Sequence, residues 1–286
     1  MQNQQMLFMT PPKVELKELK NLFFQLSSKV CNLKCKYCYL NQNQVKNEED
    51  FLDIEKIRQT LISIKNLQLN SIYLTGGEPL MHPDFNQILR MCLKVANTTV
   101  MSNGVMINDK KARFLRKIDD ESNFETIYRI SLDSTNELEN DFYRGRGSFR
   151  KALSAISSLI KYEFNPIISI VNYKNKSRDE IFYEFQSYFS RKDFILEDIN
   201  IKIIPYFSDS ENYIEPSADI NTSKLDCVNS RIISQSGVYS CHALVNDYRA
   251  RLGSSIDNSS RLNYLDCEKC SVCVNSKEKA FCNSWM

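Results

Sequence analysis

Six apolar runs of strand length, alternating with amphipathic stretches, constrain this chain more than any other feature. The runs are Leu22 to Ser27, Ser71 to Thr75, Thr98 to Ser102, Thr126 to Leu132, Pro166 to Val171 and Ile199 to Ile204. Helical spacing of apolar residues fills the gaps over Glu49 to Asn66, Pro83 to Ala96, Asp109 to Lys117, Ser148 to Tyr162 and Ser177 to Phe189. Repeated strand-helix units of this kind build a parallel sheet covered by helices. Six repeats fall short of the eight that close a barrel. The expectation is an α/β fold, a partial (β/α)6 TIM-like barrel open at its side for a large substrate.

Chemistry-bearing residues collect just past the ends of these runs. Cys31, Cys35 and Cys38 follow the first run within eight residues. A loop so placed can gather three thiolates on one metal centre and leave a further coordination position without a protein ligand, as catalytic rather than structural sites do. Gly76, Gly77 and Gly104 lie beyond the second and third runs, where the absence of a side chain lets the main chain approach a ligand.

The balance of 37 Lys and Arg against 35 Asp and Glu gives no field that would favour nucleic acid or an anionic membrane. The basic cluster Lys110, Lys111, Arg113, Arg116 and Lys117 has helical spacing and reads as a solvated helix face. Residues 1 to 9 lack the features of a signal peptide, and no run approaches about 20 apolar residues, so the expected location is cytoplasmic. In that compartment ten cysteines point to metal ligation before disulfides. Cys92, between Met91 and Leu93 in a helical stretch, reads as a small buried hydrophobe. After Pro205 the pattern changes to short Ser-, Asn- and Asp-rich segments with cysteines at 227, 241, 267, 270, 273 and 282. So small a region needs metal ligation to supplement packing. The expected domains are therefore residues 1–205 and 206–286.

Cys31-Asn-Leu-Lys-Cys35-Lys-Tyr37-Cys38 has C-x3-C-x2-C spacing with an aromatic residue before the third cysteine. Gly76-Gly77-Glu78-Pro79, Ser102-Asn103-Gly104, Ser131-Leu132-Asp133 and Arg144-Gly-Arg-Gly-Ser-Phe149 follow in order at strand ends or before a helix. Together they resemble the radical SAM enzymes over residues 22 to about 205. The resemblance implies a 4Fe-4S cluster on the three cysteines and S-adenosylmethionine on its open iron. Reductive cleavage then gives a 5′-deoxyadenosyl radical, chemistry that belongs to the cofactor. It further implies that Glu78, Gly76 and Gly77 meet the methionine amino group, and that Ser131 and Arg144 meet its carboxylate or the ribose. Ser102, Asn103, Asp133 and Asn172 lie toward the adenosyl portion, with Tyr37 packing on the cluster loop. His82 resembles a packing residue. As bare sequence these positions have plainer readings: a Gly-Gly-Glu-Pro turn, an N-cap at Asp133, a surface charge at Arg144.

The C-terminal cysteines resemble the SPASM or twitch extension that holds auxiliary 4Fe-4S clusters. Cys227 and Cys241 look like its opening hairpin and Cys267 with Cys270 like its later pair. Six cysteines with Cys273 following at once depart from the full seven-cysteine pattern. One cluster on Cys227, Cys241, Cys267 and Cys270, or a near permutation with Cys273 or Cys282, is the simplest arrangement; two incompletely ligated clusters and a zinc site are the alternatives. His242 stands where sulfatase-maturing relatives carry an aspartate, and a histidine there could act as general base near neutral pH; a purely structural imidazole is the other reading. The resemblance implies oxidative modification of a peptide or protein side chain, with a reductant such as flavodoxin or ferredoxin. Because the barrel begins within about two dozen residues of the start, a separate leader-binding domain is not expected. The alternatives are a twitch-type dehydrogenase of a small alcohol or sugar, and a non-catalytic metal-stabilised binding protein. A nucleic-acid-modifying role would call for a basic stripe.

Overall fold

The computed structural model describes residues 12–38, 40, 51–192, 197, 200–206, 221–266, 268–275 and 281–282. Six strands, β2 (Asn21–Gln25), β3 (Ser71–Thr75), β4 (Thr98–Ser102), β5 (Thr126–Ser131), β6 (Ile167–Asn172) and β7 (Ile201–Pro205), pair in chain order and in parallel. Between them run α1 (Ile54–Ser63), α2 (Phe85–Cys92), α3 (Asp109–Asp120), α4 (Glu137–Arg144), α5 (Ser148–Lys161) and α6 (Arg178–Ser190). The expected α/β partial barrel is what forms. All six strands share one direction, so their C-terminal ends line a single edge.

The helix starts follow from capping. Asp53 accepts from the Glu55 amide, Asn108 from Lys111 and Asn136 from Glu139, while Ser177 and Glu180 form a reciprocal capping box. Asp53 sets the start of α1, which is shorter than the helix expected over Glu49 to Asn66; residues 49 and 50 lie outside the described residues. Helix α4 was not among the sequence expectations. It is short, and Leu138 and Phe142 on it face solvent, so it lacks the apolar stripe that marks a core helix.

Both sheet faces are buried, as a parallel sheet requires. Alternate residues of β2 show the division. Leu22 and Phe24 join the large cluster beneath the helices, with Ile72, Leu74, Ile88, Leu89 and Val100. Phe23 points the other way, into an inner cluster with Tyr73, Ile232, Tyr239, Leu244 and Phe281.

The C-terminal part extends this sheet. Strand β8 (Ser230–Ser234) pairs in parallel with β2, and β9 (Gly237–Tyr239) and β10 (Arg251–Gly253) follow antiparallel. Strand β1 (Lys13–Glu15) pairs separately with β11 (Leu262–Tyr264), and α7 (Ser271–Asn275) closes the described chain before Phe281 and Cys282. The Gly237 turn falls in the expected hairpin; the parallel union of β8 with β2, which pairs Asn21 with Ser230, has no local sequence signal.

Arg231 on β8 organises the C-terminal part. It is fully buried and donates to the carbonyls of Cys227, Ser230, Ser260 and Arg261. Burial pulls its pKa down to about 10, so it remains charged at neutral pH. Replacement by methionine removes a charged donor from four carbonyls and is expected to cost about 3 kcal/mol or more. Urea denaturation of Arg231→Met against wild type checks this.

Candidate active site

The cysteine loop leaves β2 and is held against the turn after β3 by main chain. Gly77 N donates to Ser27 O at 2.8 Å and Glu78 N to Val30 O at 3.0 Å, directly before Cys31. The approach is too close for side chains. A Cβ on Gly77 would stand 2.1 Å from Val30 O, and one on Gly76, whose φ is +128°, would stand 2.5 Å from Ser27 O.

Glu78 is 1% exposed. Its carboxylate accepts from Ser102 Oγ at 2.9 Å, Asn103 N at 2.9 Å and Leu80 N at 3.2 Å. The carboxylate therefore ties the end of β3 to the end of β4. Burial raises its pKa from 4.5 to about 7, against the pull of these three bonds and of Arg144. Asn103 carries the link onward, donating from Nδ2 to Asn32 Oδ1 at 2.7 Å and to Cys31 Sγ at 3.7 Å.

A second tie holds the far end of the loop. Tyr37 donates its hydroxyl to Asp133 Oδ2, while Arg144 Nη1 donates to Tyr37 Oη at 2.7 Å and to Asp133 Oδ2 at 3.1 Å. Asp133 Oδ1 accepts from Val171 N at 2.9 Å, adding the end of β6. Burial opposes the charge on Arg144, but Asp133 and the Cys35 sulfur outweigh it and raise its pKa. Burial likewise raises that of Asp133, with Arg144 and the Val171 amide opposing. Tyr37 thus hydrogen-bonds beyond the expected packing. Lys36 N donates to Tyr143 O at 2.8 Å, and Cys35 Sγ lies 3.7 Å from Arg144 O, so the unexpected α4 backs the cysteine loop.

The remaining sequence candidates divide. Ser131 sits half-buried at the end of β5. Asn172 lines a cavity with Asp133, Ser134, Tyr173 and Lys176, but its side-chain amide closes the loop to Lys176 in both directions. His82 is buried on Leu52 O and the Asp84 amide, a packing residue as expected.

Cys31, Cys35 and Cys38 are free thiols. Burial raises Cys31 to about 11, helped by Glu78 and by Cys35 and Cys38, although the Leu33 amide opposes; burial also raises Cys35. Crowded sulfurs that resist ionising alone become good ligands when a cationic centre offsets their repulsion. Among the described residues no three His, Cys, Asp or Glu converge as ligands of a single ion would. Three cysteines along one loop, with N–H donors to Cys31 Sγ, are the donor set that an iron-sulfur cluster takes.

A second group borders the inner cluster. Cys227, Cys241, Cys270 and Cys273 line one cavity with Phe23, Asp226, His242 and Phe281. Burial pushes Cys227 to about 12 and Cys241 to about 11, and Cys270 and Cys273 well up, with neighbouring sulfurs adding to the rise in Cys227, Cys270 and Cys273. Cys273 joins this group, Cys282 is buried beside it, and Cys267 lies outside the described residues. The Cys227 carbonyl is held by Arg231 and by Asn263 Nδ2. His242 is wedged between the rings of Phe23 and Phe281, at 4.4 and 4.6 Å. Burial, with Arg129, lowers its pKa to about 3. An imidazole so placed is held neutral at neutral pH.

The Radical SAM superfamily profile matches residues 26–182, more than half of the 286. The chain belongs to the radical SAM superfamily. Members of this superfamily are enzymes that use a 4Fe-4S cluster and S-adenosylmethionine. It is 32% identical over 138 residues to the antilisterial bacteriocin subtilosin biosynthesis protein AlbA of Bacillus subtilis, covering 48% of this chain and 29% of AlbA. It is 29% identical over 153 residues to a probable GTP 3′,8-cyclase of Methanocella arvoryzae, covering 53% and 47%. The chain thus spans less than half the length of either relative. Streptococcus suis SuiB bound to its precursor peptide SuiA shares the fold, with a TM-score of 0.61 and 17% identity over 85% of this chain and 64% of SuiB. No helix among the described residues is long and apolar enough to cross a membrane.

The raised pKa of Glu78 makes a pH prediction. A carboxyl whose folded pKa exceeds its unfolded value holds its proton more tightly when folded, so its contribution is full below about 4.5 and lost as pH rises through about 7. Glu78→Gln cannot titrate. The difference in unfolding free energy between wild type and Glu78→Gln, from urea curves across this range, should therefore move against wild type as pH rises.

Proposed function

We propose that this enzyme abstracts a hydrogen atom from a peptide or protein side chain and completes a net oxidation, as in the maturation of ribosomally made peptides. The supporting observation is that, besides the Cys31–Cys38 loop, a second group of four cysteines, Cys227, Cys241, Cys270 and Cys273, lines one cavity with Phe23 at the buried inner cluster. When bound, the cluster and S-adenosylmethionine supply a 5′-deoxyadenosyl radical. Cys31, Cys35 and Cys38 hold the first cluster. The Gly76–Glu78 turn would meet the methionine amino group of the cosubstrate and Ser131 and Arg144 its carboxylate or the ribose. The Tyr37, Asp133 and Arg144 knot fixes the loop, with Ser102, Asn103, Asp133 and Asn172 toward the adenosyl portion. Cys227, Cys241, Cys270 and Cys273 would hold an auxiliary cluster, which would supply an acceptor for the second electron of the oxidation. The bacteriocin relative and the fold shared with a peptide-bound enzyme support a peptide substrate.

Anaerobically reconstituted protein reduced with dithionite should release 5′-deoxyadenosine. The Cys31→Ala, Cys35→Ala, Cys38→Ala variant should lose that product and about four iron atoms. Absence of 5′-deoxyadenosine from wild type with a verified cluster overturns the reading in favour of a binding protein.

The auxiliary ligands are separable by the same counts. Cys273→Ala should lose about four further iron atoms while still releasing 5′-deoxyadenosine under dithionite. Full iron retention by Cys273→Ala together with loss in Cys267→Ala would restore the ligand set expected from sequence.

A further inference from the structure

Two groups of opposite charge stand beside the C-terminal cysteines. Asp226 opens the short helical turn Asp226–Val228 that carries Cys227, and it lines one cavity with Cys227, Cys241, Cys270 and Cys273. Its carboxylate accepts from Phe281 N at 2.7 Å and from Cys282 N at 3.4 Å, so main chain 55 and 56 residues further on holds it in place. Arg231 holds the other side of the turn. Its Nη1 donates to the carbonyls of Cys227 at 3.1 Å and Ser230 at 2.8 Å, and its Nη2 to those of Ser260 and Arg261. Among the described residues these partners are all neutral carbonyls, which position the guanidinium without cancelling its charge.

The cysteine sulfurs already register both groups. Burial is the largest cause of the raised pKa at Cys227, Cys241 and Cys273; beyond it, Asp226 raises all three and Arg231 lowers Cys227. The same signs govern reduction. An electron added beside these sulfurs is one more negative charge, opposed by a carboxylate and favoured by a guanidinium, and in a buried site water and salt screen neither of them well.

We propose that Asp226 and Arg231 together set the reduction potential of the iron-sulfur cluster on these cysteines, Arg231 raising it and Asp226 lowering it. The inference rests on the auxiliary-cluster reading above. The electron comes from the substrate radical left by hydrogen abstraction, which is oxidised by one electron as the cluster is reduced by one. Arg231 favours acceptance of that electron, and Asp226 favours its onward release. Neither group touches the reacting atoms; both act through the cluster as positioned charges.

Reductive titration followed by electron paramagnetic resonance tests this on the reconstituted chain. The Cys31→Ala, Cys35→Ala, Cys38→Ala variant is measured first: about four iron atoms show a cluster on the C-terminal cysteines, and its signal identifies that cluster in the holoenzyme. At a fixed potential Arg231→Gln should lower the ratio of reduced to oxidised cluster about tenfold, a shift of about 59 mV for one electron, and Asp226→Asn should raise it by a similar factor. Arg231→Lys keeps the charge and loses the four-carbonyl fork, so its potential should stay near that of wild type. A purely structural arginine predicts instead that the lysine variant falls with the glutamine one, and that result overturns the inference. So does a wild-type potential in either Arg231→Gln or Asp226→Asn, or a shift of both in the same direction. If Arg231→Gln does not hold its iron, Asp226→Asn decides: an upward shift supports the inference and no shift overturns it. No iron in the triple-alanine variant overturns the auxiliary-cluster reading itself and this inference with it.

Discussion

Main-chain contact between the Gly76–Glu78 turn and the Ser27–Val30 segment is the constraint on which the site depends. Two amide-to-carbonyl bonds are made there at a spacing that admits no Cβ on Gly77. Because the contact joins the ends of adjacent parallel strands, the rigid sheet fixes where the cysteine loop begins. Cys31 then has its position set by β2 and β3 together. A loop tethered only by its own turn would leave three mutually repelling sulfurs free to separate.

The rest of the site repeats this logic with side chains. Glu78 joins β3 to β4, Asn103 joins β4 to Cys31 and Asn32, and Asp133 joins β5 to β6, α4 and Tyr37. Each tie buries a polar or charged group, which is unfavourable unless the group is fully bonded. Here the oxygens of Glu78 and Asp133 find donors on neighbouring strand ends. The pay-off is preorganisation: burial holds the carboxylates and the Arg144 guanidinium in place without water competing for them. The same burial seats His242 between the rings of Phe23 and Phe281.

Much of this was legible in the chain. The parallel alternation follows from period and run length, and the strand-end motifs fall where the sheet direction puts them. Helix α4 was missed because its apolar residues face out, although Asn136 three residues before Glu139 is a capping signature that could have revealed it. Tyr37 reads as packing until Asp133 and Arg144 are seen around its hydroxyl, and those partners are 96 and 107 residues away. Cys273 was one of several possible ligands, since spacing alone does not say which cysteines a fold collects.

The sequence by itself determined the elements and the chemistry: six strand-helix units, a triplet of cysteines after the first strand, and the turns at strand ends that mark the superfamily. These depend on local periodicity and on which residue types can ligate or turn, both written in consecutive positions. Only the tertiary structure decided that β8 continues the barrel sheet beside β2, which cysteines gather across the inner face, and that Glu78 and Asp133 spend their oxygens as ties. Those outcomes depend on burial and on contacts between residues far apart in the chain, and neither quantity exists until the sheet has assembled.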